Sequence, residues 1–392
     1  MISLELSIEL RDYGRELRDW SVAMIRPRAR QADTDHRPPA DWKALFATCP
    51  VPLSKNVGHD AVAGTAKFDD GERLRSLVQF ENFNYGDIWG QSRFGGGIGH
   101  LVVKLLGTPE QVQLWYAPVV TQDALVTGFA LSESGAGSDT GRIATSAVLD
   151  GDAWVIDGEK IFCSHGATAQ YVVVFAVTRD GAGSGAFVVE RGMAGFEVVK
   201  ANEDKLGLRS WETSQLRFTH CRVPLQNRLG WDETGVEVRG GRLGALAVLN
   251  GNRPNVGAMA VGVAQAALDV TREVLHERRR GFRPDRWTLV VNDLNAMEAA
   301  LQRARRVCRR AQWLGQIDTD NRVQASMAKA IAPPTAERVV RRCLQLLGPD
   351  GASTELLIEK WHRDLKILDI FEGTGQIQRR IIARELARTA RS

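Results

Sequence analysis

Five cysteines in 392 residues, Cys49, Cys163, Cys221, Cys308 and Cys343, are odd in number and share no metal-type spacing, and none of the seven histidines falls in a paired pattern. The reading is reduced thiols and no bound metal. No stretch approaches the roughly 18 uncharged residues that a membrane span requires, so no membrane partner is expected. Charge of one sign is also missing. Fifty-one basic residues against 47 acidic ones leave a net charge of +4, and the basic residues are spread along helical stretches rather than gathered in one block. Nucleic-acid binding is therefore not indicated. Arg278-Arg279-Arg280 and Arg305-Arg306 with Arg309-Arg310 read as solvated helix faces, one of which can touch a phosphate. The segment Met1–Trp20 carries neither an apolar signal core nor an Arg-rich, acid-poor targeting pattern, so a cytoplasmic location is expected.

What is present describes an ordinary globular chain, 44% hydrophobic and 25% charged, long enough for two or three domains. Apolar residues recur at helical spacing through Leu6, Leu10, Tyr13, Leu17, Trp20 and Met24. Gly95-Gly96-Gly97-Ile98-Gly99 is not a dinucleotide fingerprint, since His100 stands where the last glycine would be and no βαβ unit surrounds it; a close helix contact is expected instead. Between about Thr127 and Gly230 the pattern changes to short β-rich runs, Trp154–Ile156, Tyr171–Val177, Ala186–Val189 and Phe196–Val199. Asp150-Gly151-Asp152, Asp157-Gly158 and Asp180-Gly181 read as the turns of a compact antiparallel β domain.

Helical periodicity then returns. Pro254 is expected to open a helix whose face is Val256, Ala260, Val263, Ala267, Val270 and Val274. Leu294, Met297, Leu301, Ala304, Cys308 and Ala311 repeat at three and four, as in a helix bundle. A further helix is expected to break at Pro333-Pro334 and resume through Val339, Cys343 and Leu346, and the last carries Ile377, Ile381 and Leu386. The fold class is thus α+β and multidomain. It has an N-terminal helical domain (1–125), a middle antiparallel β barrel or sandwich (126–232) and a C-terminal domain like a four-helix bundle (233–392).

Two segments bear chemistry. Glu372 interrupts the apolar run Ile367-Leu368-Asp369-Ile370-Phe371 and is followed by Gly373. A carboxylate facing an apolar cleft has its pKa raised towards the range of ~6–7 where a glutamate removes protons effectively. The alternative is a helix-start carboxylate favoured by the following helix dipole. Residues 127–139 offer small, hydroxyl-bearing and glycine residues, through which backbone N–H groups approach an anionic or carbonyl-rich ligand. Turns of that composition are also common without a ligand.

Taken in order, GFALSESGAGSD (128–139), GEKIFCSHG (158–166), KLGLRS (205–210) with FTHCRVP (218–224), CLQLLGPDG (343–351) and RDLKILDIFEGTGQIQRRIIAREL (363–386) resemble the successive landmarks of the acyl-CoA dehydrogenase family. The resemblance runs from about Leu74 to Arg388. It implies FAD as cofactor, with Phe129, Leu131 and Ser132 as neighbours of the flavin ring. The Ala136–Asp139 turn, with Gly137 and Ser138, is implied to lie near the flavin phosphates and the acyl-CoA, Asp139 being a turn cap. Where most relatives carry a tryptophan followed by Ile-Thr-Asn-Gly, this chain has Phe162-Cys163-Ser164-His165-Gly166; Phe162 keeps an aromatic face and Ser164 the hydroxyl. Cys163 reads as a small core residue and His165 as a polar rim residue.

The resemblance further places Asn250 and Arg253 at a substrate site, the family's usual acid having become Asn250. Arg278 is implied to reach the flavin pyrophosphate of a neighbouring subunit, or else to be one more solvated arginine. Gln345 and Gly348 are implied to pack on the flavin's adenosine end, with Pro349 removing a backbone donor, and Thr374 and Gln376 to lie near its dinucleotide portion. Glu372 occupies the catalytic-base position and Gly373 adjoins the substrate. The base and the isoalloxazine are expected to flank the thioester from opposite sides.

The function implied is α,β-desaturation of an acyl-CoA or acyl-carrier-protein thioester, with electrons passed to an electron-transfer flavoprotein, by an oligomer that is a homotetramer or, alternatively, a mixed tetramer with a related subunit. Two rivals stand beside it: a flavin oxidase or monooxygenase on the same scaffold, and a non-catalytic subunit that partners an active homologue.

Overall fold

The structure is a computed structural model that describes residues 5–53, 71–93, 96–121, 125–178, 183–232, 244–317 and 321–390. They gather into two compact units, one of Met1–Gln91, Lys205–Ser210 and Asn250–Ser392, the other of Ser92–Asp204 and Trp211–Leu249.

In the first unit the longer helices are α1 (Ile8–Met24), α2 (Glu72–Gly86), α3 (Gly244–Glu277, which enters this unit at Asn250), α4 (Pro284–Gln316), α5 (Arg322–Leu347), α6 (Ile358–Leu368) and α7 (Gly375–Thr389). Ser7 caps α1 by accepting from the Leu10 N–H at 3.2 Å. The stripe Leu10, Tyr13, Leu17 and Trp20 is buried where α1 packs on α2. All six positions of the α4 stripe, Leu294 to Ala311, are buried, and α4 lies against both α2 and α5. Between Gly251 and Leu268 the α3 face expected from the sequence widens to the full circumference, since every residue there is buried, whereas Val270 and Val274 are only half-buried.

Three sequence expectations change here. Pro254 lies inside α3 rather than at its start, and Pro333 and Pro334 lie inside an unbroken α5. A proline in a helix interior costs about 3 kcal/mol. On α5, burial of Ala325, Ala328 and Ala332 before the pair and of Ala336 and Val339 after it keeps both halves packed in one line. Arg305, read as part of a solvated face, is buried and donates from Nε to Glu81 Oε1 at 2.6 Å.

The second unit is built on a seven-stranded sheet of β1 (Thr127–Ala130), β2 (Ser146–Asp150), β3 (Ala153–Ser164), β4 (Tyr171–Thr178), β5 (Gly183–Glu190), β6 (Phe196–Lys200) and β7 (Thr213–Pro224), in the order β1-β4-β2-β3-β7-β6 with β5 also on β4. Every β-rich run named from the sequence lies in a strand. The sheet is mixed, however: β1 and β2 both run parallel to β4, and the remaining pairs are antiparallel. Trp154, Ile156, Val172, Phe187, Leu216 and Phe218 fill its core.

Asp150-Gly151-Asp152 joins β2 to β3 as expected. Asp157-Gly158 does not turn but lies within β3, where the β3–β7 register shifts. Asp180-Gly181 and Gly95 lie outside the described residues. The close contact expected of the glycine cluster is with a strand: Gly97 (φ 85°) bridges Thr127, and a Cβ on it would sit 2.1 Å from the Thr127 carbonyl oxygen.

Candidate active site

Glu372 lies between two helices of the first unit. After α6 ends, the Ile370 and Phe371 N–H groups both bond to the Ile367 carbonyl, and the backbone turns left-handed at Glu372 (φ 57°) and Gly373 (φ 90°). Helix α7 then starts behind Thr374, whose hydroxyl accepts from the Ile377 N–H at 3.4 Å. Glutamate rarely adopts such a backbone, and holding it there costs about 1–3 kcal/mol unless neighbours fix it.

Three helices supply those neighbours. Arg253 Nε on α3 donates to the Glu372 carbonyl at 3.3 Å, and Gln378 Nε2 on α7 donates to the Glu372 and Gly373 carbonyls at 3.3 and 3.0 Å. Lys329 Nζ on α5 donates to the Gly373 carbonyl at 3.4 Å. A Cβ on Gly373 would lie 2.5 Å from Gln378 Nε2 and would sit on a left-handed backbone (φ 90°), so a side chain there would be strained and would displace that clamp.

The two carboxylate oxygens of Glu372 differ. Oε1 accepts from Asn252 Nδ2, whereas Oε2 is inaccessible to solvent and has no hydrogen-bond partner. Glu372 as a whole is half-buried, and it is Oε2 that is enclosed. Burial pushes its pKa up to about 7, against the pull of the Asn252 hydrogen bond and the charges of Lys329 and Arg253. Lys329 is itself buried, and loss of water lowers it to about 8, opposed by Asp369 and Glu372. Arg253 is held in turn by Asn250, whose Oδ1 accepts from its Nη1 at 2.6 Å. The group can take up a proton near neutral pH.

In the second unit, buried Lys160 shapes the loop after β1 by donating to the Leu131 carbonyl at 3.0 Å and to Glu133 Oε1 at 2.7 Å. Glu133 also accepts the N–H groups of Ala144 and Thr145 at 2.6 and 3.0 Å. Ser132 bonds across to β3 through the Ile161 N–H at 2.9 Å. Phe129 packs on Phe175 at 5.2 Å. Phe162 is left-handed (φ 55°) and 62% exposed, and Ser164 Oγ accepts from Trp211 Nε1 at 3.2 Å. Gly137 and Ser138 are exposed. Cys163 is buried in the sheet core, as expected. His165 is not a rim residue: it is fully enclosed, and loss of water drives its pKa down to about 3. Asp139 precedes a short 3₁₀ turn without a side-chain capping bond.

Of the remaining positions named from the sequence, Arg278 is paired with Asp350, two residues beyond Gly348 (φ 60°). Gln345 is exposed and accepts from Arg342 at 3.1 Å, and Gln376 is exposed at the start of α7. Glu372, Gly373, Asn250 and Arg253 therefore come together in the helical unit, and Leu131, Ser132, Phe162 and Ser164 stand on one stretch of the sheet unit. Sequence reasoning missed Asn252, Lys329 and Gln378. The signal for Lys329 was there, a lone charge among Ala325, Ala328 and Ala332 on an apolar stripe.

Residues 128–221 match the family Acyl-CoA dehydrogenase, middle domain, and residues 239–387 match Acyl-CoA dehydrogenase, C-terminal domain. The mitochondrial short-chain specific acyl-CoA dehydrogenase of Sus scrofa is 32% identical over 406 aligned residues, covering 100% of this chain and 93% of that protein. The short-chain specific acyl-CoA dehydrogenase of Clostridium acetobutylicum is 33% identical over 286 residues, or 72% of this chain and 73% of that one. Among solved structures, butyryl-CoA dehydrogenase from Megasphaera elsdenii superposes with a TM-score of 0.85 at 25% identity, covering 98% of this chain and all of the other. Helical and β units of this order, with these likenesses, define an oxidoreductase. The chain belongs to the acyl-CoA dehydrogenase family.

Proposed function

We propose that the protein is an FAD-dependent enzyme that introduces an α,β double bond into an acyl-CoA thioester, with Glu372 as the base. The observation that carries this reading is the buried carboxylate with its pKa near neutrality and one oxygen without a partner. A thioester makes its α C–H weakly acidic, and a base of pKa about 7 is matched to removing that proton. Arg253, Gln378 and Lys329 hold the backbone so that the carboxylate does not swing, and burial keeps water from it.

The residues of the sheet unit fit a flavin. A phenylalanine held out from its strand with 62% of its surface open offers a stacking face, with the Ser164 hydroxyl two residues on. Within the sheet unit we assign Phe129, Leu131, Ser132, Gly137, Ser138, Phe162 and Ser164 to FAD and Ser138 also to the substrate; within the helical unit we assign Arg278, Gln345, Gly348, Thr374 and Gln376 to FAD, and Asn250, Arg253 and Gly373 to the substrate. Bound FAD supplies the acceptor for the hydride that leaves the β-carbon. The family resemblance assigns Arg278 and Gln345 to contacts with a neighbouring copy, and on that ground we assign a homotetramer, with an electron-transfer flavoprotein as the electron acceptor.

Anaerobic addition of acyl-CoA thioesters, beginning with butyryl-CoA, to the yellow protein tests the reading. Bleaching of the flavin is expected for at least one thioester. In Glu372→Gln the flavin should stay bound and remain yellow, and bleaching at an unchanged rate in that variant would remove Glu372 from the reaction.

A further inference from the structure

Behind Glu372 runs a line of buried amides. Gln312 Nε2 on α4 donates to Asn255 Oδ1 at 2.7 Å, and Asn255 Nδ2 on α3 donates to Asn252 Oδ1 at 3.4 Å; Asn252 Nδ2 then donates to Glu372 Oε1. Side bonds fix the line, from Gln312 to the Gly251 carbonyl at 3.3 Å and from Asn255 to Ser76 Oγ on α2 at 3.2 Å. Asn252, Asn255 and Gln312 are all buried.

An ionised carboxylate only accepts hydrogen bonds, so Asn252 must turn its NH₂ towards Glu372. That choice turns the Asn252 oxygen to Asn255, and the Asn255 oxygen to Gln312. Every amide dipole therefore points the same way, and in a low-dielectric interior aligned hydrogen bonds strengthen one another. Because the far end is anchored on α4 and α2, the amide that meets Glu372 cannot follow the carboxylate if it rotates.

We propose that Asn252, backed by Asn255 and Gln312, is the positioning residue of this enzyme: it pins Glu372 by Oε1 and leaves Oε2 as the oxygen that takes the substrate proton. This rests on the reading of Glu372 as the base. When the α C–H bond breaks, its electron pair passes into the forming double bond, the β-hydride leaves for the flavin, and the proton forms an O–H bond on Oε2. The amide line keeps its bond to Oε1 before and after. The other groups that face the carboxylate are Arg253 on α3 and Lys329 on α5, with Gln378 of α7 on the loop carbonyls and Asp369 beside Lys329. None of them occupies Oε1 among the described contacts.

The test uses the flavin-loaded enzyme carrying Asn252→Leu and, separately, Gln312→Met, which touches no atom of Glu372. The Glu372 carboxyl is titrated by infrared difference spectroscopy, with Glu372→Gln identifying its band. Loss of the pinning bond should move the titration of Glu372 upward by about one pH unit in Asn252→Leu, a tenfold change in equilibrium, and by less, in the same direction, in Gln312→Met. Turnover should fall about tenfold below the new midpoint and recover at higher pH, which a merely damaged fold would not do. A Glu372 titration unmoved in Asn252→Leu overturns the proposal. Should that variant not fold, an unmoved titration in Gln312→Met does so instead. If Glu372→Gln still bleaches while the titration moves as expected, the base assignment fails and the amide line stands; if Glu372→Gln is dead and the titration does not move, the reverse holds.

Discussion

Lys329 reaches the carbonyl oxygen of Gly373 at 3.4 Å, so a buried ammonium on α5 sits one residue beyond the carboxylate of Glu372. Its charge is among those that pull the Glu372 pKa back towards the ordinary carboxylate range, and burial is what pushes the other way. In Lys329→Met the burial remains and the cation is gone. The acid limb of the kcat/KM profile, which reports ionisation of the base in the free enzyme, should move up by about one pH unit. Above that limb the rate should largely return. A profile that keeps its midpoint would show that the lysine only supports the loop.

The bond between Arg305 Nε and Glu81 Oε1, with Arg305 Nη2 also on Gln265 Oε1 at 3.1 Å, ties α4 to α2 and α3 inside the core. Arg305→Met strands a buried carboxylate, and removing one partner of such a pair costs about 3–5 kcal/mol. The double variant Arg305→Met with Glu81→Gln should recover much of that loss, because no unpaired charge is left. Urea denaturation of the two variants measures the difference. Equal destabilisation in both would mean that the packing of the arginine stem outweighs its charge.

That arginine marks where sequence reasoning stops. Helical spacing placed every residue of the Leu294–Ala311 stripe correctly, because periodicity is local. It could not tell that Arg305, one position after Ala304, meets Glu81 from 224 residues away. Glu372 was legible because its apolar neighbours adjoin it in the chain, whereas Asn252 meets it across 120 residues and Lys329 meets Gly373 across 44. The parallel pairing of β1 and β2 with β4 was hidden for the same reason. The prolines inside α3 and α5 failed differently. A local rule was read correctly there, and packing on both sides of each proline overrode it.

Lys160 and Glu133 form a second buried pair, and their pKa values are pushed in ways that need separate treatment. Burial works against the charge of Glu133, but the Ala144 N–H, Lys160 and Thr145 more than offset it and hold the carboxyl down to about 2. Lys160 is also lowered, because for it the loss of water outweighs the same contact. Between pH 2 and 4.5 the lysine is protonated in both folded and unfolded chains, so it adds no slope there. A carboxyl depressed on folding contributes stability that is present above its unfolded value and lost as pH falls through its folded one. Wild-type stability should therefore drop by up to about 3 kcal/mol across that window on account of this group. In Glu133→Gln that part of the slope should vanish, as thermal melts at several acid pH values would reveal; an unchanged slope would assign the acid sensitivity to other carboxyls.

Glu372 has the opposite sign. Its folded value of about 7 lies above the ordinary 4.5, so the fold prefers the protonated acid. The contribution is fully present below about pH 4.5 and is lost as pH rises through 7, where the charged form must be kept buried. Glutamine resembles the protonated acid in shape and carries no charge. Glu372→Gln should thus be about as stable as the wild type at pH 4.5 and more stable at pH 8 by roughly 2–3 kcal/mol, the free energy held in the shifted pKa. The same substitution is expected to abolish flavin bleaching, so a gain in stability and a loss of activity should appear together in one variant. Melting curves at the two pH values decide the matter. A variant no more stable than the wild type at pH 8 would mean that the carboxylate is not strained by its burial, and its fitness as a base at neutral pH would then need another source.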